Sequence, residues 1–197
     1  VLRGFEANRV LIVVDGVRMN NAIYRSGHLQ NAITIDPHNV DRVEVTFGSS
    51  SVGYGSDALG GVIHYYTKSP KLNSKTPIQS EFSSNFNHAN LSFINNVSTA
   101  LSYKNWGSLT SVSYSSFGDI RIGENRNHGF SDWGLTSYRS LNSRNEYKAN
   151  PTSNSRPTIQ KNTAYDQLDV FQKFLLHLPR DMFLNLNIQY SESTDID

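Results

Sequence analysis

From residue 78 onward, apolar and polar side chains alternate in segments of about ten residues, and this alternation constrains the fold more than any other feature. Ile78, Phe82 and Phe86 alternate with Gln79, Glu81, Ser83, Asn85 and Asn87. Val97, Thr99, Leu101 and Tyr103 alternate with Ser98, Ala100, Ser102 and Lys104. Residues 109–117 carry a weaker pattern, with Val112 and Tyr114 among serines. Leu168, Val170, Phe174, Leu176 and Leu178 alternate with Gln167, Asp169, Lys173 and His177, interrupted by Phe171 and Leu175. Met182, Leu184, Leu186, Ile188 and Tyr190 alternate with Asn185, Asn187, Gln189 and Ser191, and Phe183 is the apolar intruder. Successive side chains of a strand point to opposite faces, so each segment offers one apolar and one polar face. A membrane-spanning barrel needs this arrangement, with one face in lipid and the other toward water or a plug. A soluble β-sandwich can carry the same alternation.

The connections discriminate. Asn105-Trp106-Gly107 and Pro179-Arg180-Asp181 read as tight turns, residues 88–96 as a connection of intermediate length, and residues 118–163 as one long polar segment. Counted in order, the tight turns fall on one side and the longer connections on the other. Outer-membrane barrels pair short periplasmic turns with long extracellular loops. Residues 118–163 are therefore expected to be extracellular and irregular or hairpin-like. Trp106, beside a periplasmic turn, and Tyr190, near the opposite rim, suit aromatic girdles. About five strands cannot close a barrel, which needs roughly eight. Both ends of the chain read as cut from something longer.

The first third reads differently. Residues 9–14 are a β-branched run ended by Asp15-Gly16, a strand buried on both faces and then a turn. Residues 19–31 form a polar loop. Residues 40–47 are a second strand, with Val43, Val45 and Phe47 on one face and Arg42, Glu44 and Thr46 on the other. Residues 48–51 make a turn, and 54–61 hold a short helical turn capped by Ser56 or Asp57. Residues 62–67 are a third strand, closed by Ser69-Pro70. The expected fold is mixed: a small α/β segment over residues 1–70, then antiparallel amphipathic strands of an incomplete transmembrane β-barrel over 71–197.

Composition removes several function classes. Lys and Arg total 18 against 17 Asp and Glu, so no nucleic-acid or polyanion partner is implied. The absence of Cys removes disulfides, thiolate metal sites and a Cys nucleophile. The longest aliphatic run, Val10–Val14, is far too short for a membrane-spanning helix. The five histidines outside the first loop show no metal-ligand spacing, and Ser56-Asp57 lacks the Gly-x-Ser-x-Gly order of a nucleophile elbow. No Lys-Ser/Thr pair directly follows Gly55, Gly60 or Gly61, so they are not a phosphate loop.

Four pieces of the first third, in order and at their spacing, resemble the plug domain of TonB-dependent outer-membrane receptors. They are Leu2-Arg3-Gly4, then Val10-Leu11-Ile12-Val13-Val14-Asp15-Gly16-Val17-Arg18, then Val40-Asp41-Arg42-Val43-Glu44-Val45, and Tyr54-Gly55-Ser56-Asp57-Ala58-Leu59-Gly60-Gly61-Val62-Ile63. Residues 20–31 look most like receptors of the Bacteroidetes type. The resemblance covers residues 1–70. It implies the C-terminal part of a plug inside a barrel of about 22 strands in the bacterial outer membrane. It also implies energised uptake of a scarce nutrient, an iron siderophore, haem or a cobalamin-like chelate, driven by the TonB complex. No resident cofactor and no enzymatic step are implied. Ser49 departs from the family, which commonly has Pro after the Gly of this turn, and the turn is correspondingly less rigid.

The resemblance also implies roles for particular residues. Asn20, Asn21, Tyr24, Arg25, His28 and Gln30, with Ser49, Ser50 and Ser51 of the neighbouring turn, are expected to form the floor of the ligand site. Their amide, hydroxyl, guanidinium and imidazole groups suit the oxygen-rich rim of a chelate. His28 can ligate haem iron, or simply order its loop. Arg3 and Arg42 match plug arginines that pair with acidic groups on the barrel wall; the alternative is an ordinary solvated arginine. No metal-binding residues are expected. A second functional reading, a soluble or surface β-rich module binding a ligand or glycan, differs in one checkable respect: there Leu184, Leu186 and Ile188 pack a core, whereas in a barrel they face lipid.

Overall fold

A computed structural model describes residues 10–19, 35–47, 53–54, 58, 60–123, 125, 129–130, 132, 134–141 and 147–194. The first strands are β1 (Val10–Val14), β2 (Val17–Arg18), β3 (Val40–Thr46) and β4 (Gly61–Thr67). They form one mixed sheet of order β2-β1-β4-β3. β1 runs parallel to β4, Val10 opposite Gly61 through Val14 opposite Tyr65. β3 runs antiparallel to β4, with an irregularity between Val40 and Arg42. All five residues of β1 are buried, as an uninterrupted aliphatic run in a central strand requires. Leu11, Val13, Ala58 and Val62 pack as a small core with Tyr54 against it. Leu11, Val13 and Val62 each contribute about 1.5–3 kcal/mol on burial.

Asp15 and Gly16 close β1 onto β2 with φ of +46° and +86°. Two left-handed central residues define the hairpin turn whose twist matches that of the flanking strands, and Asp-Gly is a preferred pair there. A 3-10 turn, Pro37–Asn39, precedes β3 and is one the sequence did not announce. Asp36 caps it, accepting from the His38 backbone and the Asn39 side chain. The helical turn expected over 54–61 lies largely outside the described residues.

Five long strands follow: β5 (Ile78–Asn87), β6 (Ser92–Ser102), β7 (Trp106–Phe117), β12 (Tyr165–Leu178) and β13 (Met182–Ser193). Between β7 and β12 lie short strands β8 (Ile120–Arg121), β9 (Tyr138–Leu141), β10 (Tyr147–Ser153) and β11 (Ile159–Gln160). The long strands form one sheet of order β13-β12-β7-β6-β5. They have 10 to 14 residues each, enough for a tilted barrel strand to cross a bilayer.

The expected connection over 88–96 is shorter than the sequence reading had it. The turn ends at Leu91, and Ser92 begins β6. The physical reason lies at Asn96, which is buried and donates its side-chain amide to Ser113 Oγ at 2.7 Å. A polar residue that reads as loop is here a wall residue facing a polar interior. Similarly, the turn expected at 105–107 sits over 103–105, and Trp106 and Gly107 already belong to β7. Segment 118–163 is hairpin-like: β8 pairs with β11 and β9 with β10, both antiparallel.

The chain divides into two compact units. One holds residues 1–79, 99–111 and 171–188 and contains the plug-like sheet. The other holds 80–98, 112–170 and 189–197. In the second unit the usual burial is reversed. Ser92, Asn96, Ser113, Ser115, Gln167 and Asp169 are buried, while Phe82, Phe86, Val97, Val112, Tyr114 and Tyr190 are exposed. In the first unit Ser111 and Lys173 are buried, and Met182, Leu184, Leu186 and Ile188 lie about half exposed. Within each unit, so many exposed large apolar side chains suit contact with lipid or a partner.

Candidate functional site

All the residues expected to floor a ligand site (Asn20, Asn21, Tyr24, Arg25, His28, Gln30, Ser49, Ser50 and Ser51) lie outside the described residues, as does Arg3. The described residues do contain the supports from which those segments leave. The Asp15-Gly16 turn leads through β2 to Met19, whose N–H donates to Ile12 O at 2.9 Å. Residue 20 follows directly.

The turn is held by a polar network built on Asp15. Its Oδ2 accepts from Lys173 Nζ at 3.0 Å and from Asn187 Nδ2 at 2.9 Å. The Thr67 hydroxyl also donates to Oδ2, and the Thr67 backbone N–H donates to Oδ1 at 2.9 Å. Lys173 Nζ in turn donates to Thr67 Oγ1 at 2.8 Å. The Lys173 side chain is 3% exposed and that of Asp15 21%. Burial pushes the Asp15 carboxyl up, but the Thr67 hydrogen bonds and the Lys173 ammonium outweigh it and hold the group below its ordinary range. Three strands supply these groups: Thr67 ends β4, Lys173 lies in β12 and Asn187 in β13. Alternation explains why the last two meet here, since both fall on the polar face of their strands.

His64 supports the other side of the turn. Its Nε2 accepts the Gly16 N–H at 3.1 Å, which places the ring proton on Nδ1. That nitrogen is buried and has no hydrogen-bond partner among the described residues. The ring stacks on Tyr66 at 3.9 Å. Arg42 lies over the other end of this stack, 3.7 Å above the Tyr66 ring, and its Nε donates to Glu44 Oε1 at 2.9 Å. Hydrogen bonds from Arg42, then Tyr66, hold the Glu44 carboxyl below its usual range. Both Arg42 and Glu44 are half exposed, so the pair adds little stability.

Asp15, Arg42, His64, Lys173 and Asn185 line a polar cavity of about 660 Å³. Among the described residues no group of three or more His, Asp or Glu is placed to hold a metal ion. The arrangement fixes a turn in position; it does not assemble a nucleophile and a base. In the sequence Lys173 and Asn187 stand out only as members of a polar face. Nothing in the sequence links either to Asp15, 158 and 172 residues away.

Residues 1–62 match the family described as the TonB-dependent Receptor Plug Domain. The fold is similar to that of the ferric enterobactin receptor PfeA of Pseudomonas aeruginosa, with a TM-score of 0.56 at 15% identity. That likeness covers 94% of this chain and 25% of PfeA. By these likenesses residues 1–62 resemble the plug of a TonB-dependent receptor. Among curated TonB-dependent receptors, the hemin receptor of Yersinia enterocolitica is 48% identical over 66 residues, 34% of this chain and 9% of its own length. A vitamin B12 transporter BtuB of Vibrio vulnificus is 31% identical over 116 residues, 59% of this chain and 17% of its own. The rhizobactin receptor of Rhizobium meliloti is 46% identical over 61 residues, 31% of this chain and 8% of its own. The chain thus spans less than a fifth of the length of these relatives. Asp15 lies inside the plug match, whereas Thr67, Lys173 and Asn187 lie beyond it.

Proposed function

We propose that the chain is part of an outer-membrane receptor for energised uptake of a scarce nutrient chelate: an iron siderophore, haem or a cobalamin-like compound. In this proposal residues 1–70 are the C-terminal part of the plug, and 71–197 are the first strands of the barrel, with 118–163 as an extracellular loop. Asn20, Asn21, Tyr24, Arg25, His28 and Gln30 contact the cargo together with Ser49, Ser50 and Ser51. Arg3 and Arg42 face acidic groups of the wall, and the TonB complex supplies the energy. The activity is binding and release, with no covalent step.

One observation carries the proposal: a plug sequence is continuous with a sheet whose polar face is buried and whose apolar face is exposed. A soluble module has no use for that reversal. The test is uptake. A full-length receptor containing this chain, inserted in the outer membrane of a strain lacking its own chelate receptors, is expected to take up one of labelled haem, ferric siderophore or cobalamin. Uptake should stop when TonB is deleted. Equal uptake without TonB, or none of any cargo class by a correctly inserted receptor, overturns the proposal. Tyr24→Ala combined with Arg25→Ala should weaken cargo binding and leave barrel assembly intact. Loss of a haem absorption band in His28→Ala would assign the imidazole as an iron ligand.

A further inference from the structure

We infer that Lys75, Lys104 and Arg180, at one edge of the strand wall, form a docking row for anionic glycerophospholipid headgroups. This inference rests on the outer-membrane reading proposed above, which makes this the periplasmic edge. Backbone hydrogen bonds bring the three connections together. The segment before β5 runs against the end of β6. Asn73 N donates to the Tyr103 carbonyl at 2.9 Å and Ser74 N to Ser102 Oγ at 2.9 Å, and the Pro77 carbonyl accepts from Ser102 N at 2.8 Å. Gly107 permits this close approach, since a Cβ there would lie 3.1 Å from both Lys71 O and Pro70 Cβ. The turn after β6 is tied in its turn to β12, where His177 N donates to the Asn105 carbonyl at 2.8 Å. Arg180 follows between β12 and β13.

Two properties of this edge point to lipid. The first is charge. Residues 73–79, 103–107 and 177–183 hold Lys75, Lys104 and Arg180 against one carboxylate, Asp181, whose Oδ1 lies 3.3 Å from His177 Nε2. The three cations are exposed, and none has an ion pair among the described residues. The second is an apolar border. Tyr103 and Trp106 flank the middle turn, stacked at 4.5 Å and 43% and 38% exposed. Leu178 and Met182 flank the next turn and are exposed as well. Aromatic rings favour the headgroup level of a bilayer, and long cationic side chains reach past it to phosphate.

The spacing separates a headgroup surface from a free anion. A free phosphate needs donors that converge on one point. These cations stand on three connections of one sheet, whose neighbouring strands lie about 4.8 Å apart, so they form a row. A row beside an apolar face matches a leaflet, where phosphates lie side by side. A zwitterionic headgroup brings no net charge to it, whereas phosphatidylglycerol is anionic.

The test uses the full-length receptor, freed of other cysteines, with a fluorophore on Asn105→Cys. It is inserted in phosphatidylcholine vesicles that contain nitroxide-labelled phosphatidylglycerol or nitroxide-labelled phosphatidylcholine. Quenching reports which lipid sits at this edge. Phosphatidylglycerol is expected to associate at least about fivefold more strongly at low salt, with the preference shrinking at high salt. Lys75→Gln/Lys104→Gln/Arg180→Gln should abolish the preference, and Lys104→Arg should keep it. Equal quenching by both lipids in the inserted receptor overturns the inference. So does a preference that salt leaves unchanged, or one that survives the triple substitution. Displacement of phosphatidylglycerol by glycerol 1-phosphate at equal concentration also overturns it, because the site would then be one for a free anion. Failure of the outer-membrane reading looks different: neither lipid quenches the label, because the receptor does not enter the bilayer, and the inference falls with it.

Discussion

Asn96 and Ser113, on the adjacent strands β6 and β7, hydrogen-bond side chain to side chain at 2.7 Å where both are almost closed to solvent. Neither residue type is a natural occupant of a protein core. Their pairing shows that the buried face of this sheet is maintained by polar satisfaction. Asn96→Leu removes one hydrogen bond from the buried Ser113 hydroxyl and should destabilise the protein by about 0.5–1.5 kcal/mol. Adding Ser113→Ala should recover part of that loss. Thermal unfolding of the four members of this cycle in detergent checks it, and simple additivity of the two changes would show that the bond contributes nothing of its own.

The carboxyl of Asp15 gives a pH dependence of fixed sign. It is held below its ordinary value of 3.8 in the folded state. A depressed carboxylate contributes stability that is fully present above the ordinary value and is lost as pH falls through the depressed one. Asp15→Asn removes that contribution. The native protein should therefore be more stable than the variant at neutral pH, with the gap closing in acid below the ordinary value. Unfolding midpoints of both proteins from pH 7 down to about pH 3 give the comparison, and a gap that widens in acid reverses the assigned sign.

Within segment 118–163, Asn154 is buried and serves three backbone groups. Its Nδ2 donates to the Thr136 carbonyl at 2.8 Å and the Ile159 carbonyl at 2.9 Å, and its Oδ1 accepts from Arg156 N at 3.1 Å. Asn154→Ala removes all three bonds. The predicted effect is local: faster amide exchange at Arg156, whose N–H loses its acceptor, with β12 and β13 unaffected. Exchange that rises equally in the long strands would show the segment to be part of the same cooperative unit.

The half-exposed Leu186 and the more enclosed Asn187 are neighbours on opposite faces of β13. If the apolar face meets lipid, Leu186→Arg should cost about 2–4 kcal/mol in a bilayer, depending on depth. The same substitution on a soluble surface would be nearly neutral. Folding into lipid vesicles, measured against urea, separates these values and with them the barrel from a water-exposed sheet.

How much of this was legible in the sequence varied with the range of the interaction. The faces of β13 were readable because strand geometry repeats every two residues and Met182, Leu184, Leu186, Ile188 and Tyr190 keep the period without a break. The Asp15-Gly16 turn was readable because two left-handed residues in succession favour that dipeptide. Asn96 was misassigned to a connection, since polar residues next to a turn signal loop in a soluble protein and wall in a polar-lined barrel. Lys173 was visible as one polar-face residue among several. Its partner depends on how a strand near the end of the chain meets a turn near the start, which no local pattern encodes. The ligand-contact residues carried by the family resemblance, Asn20 to Gln30 and Ser49 to Ser51, lie outside the described residues, so their roles stand as proposals.

Residue 15 answers to two separate demands. Its backbone lies at φ +46°, a conformation that Asn and Gly tolerate as readily as Asp. Its side chain is a negative charge facing Lys173, which neither Asn nor Gly can replace. Related receptors are thus free to drift at this position as far as the turn is concerned, but not independently of residue 173. Wherever Asn or Gly stands in place of Asp15, the lysine is expected to have given way to an uncharged residue, because an ammonium buried without its carboxylate is more costly than the loss of both.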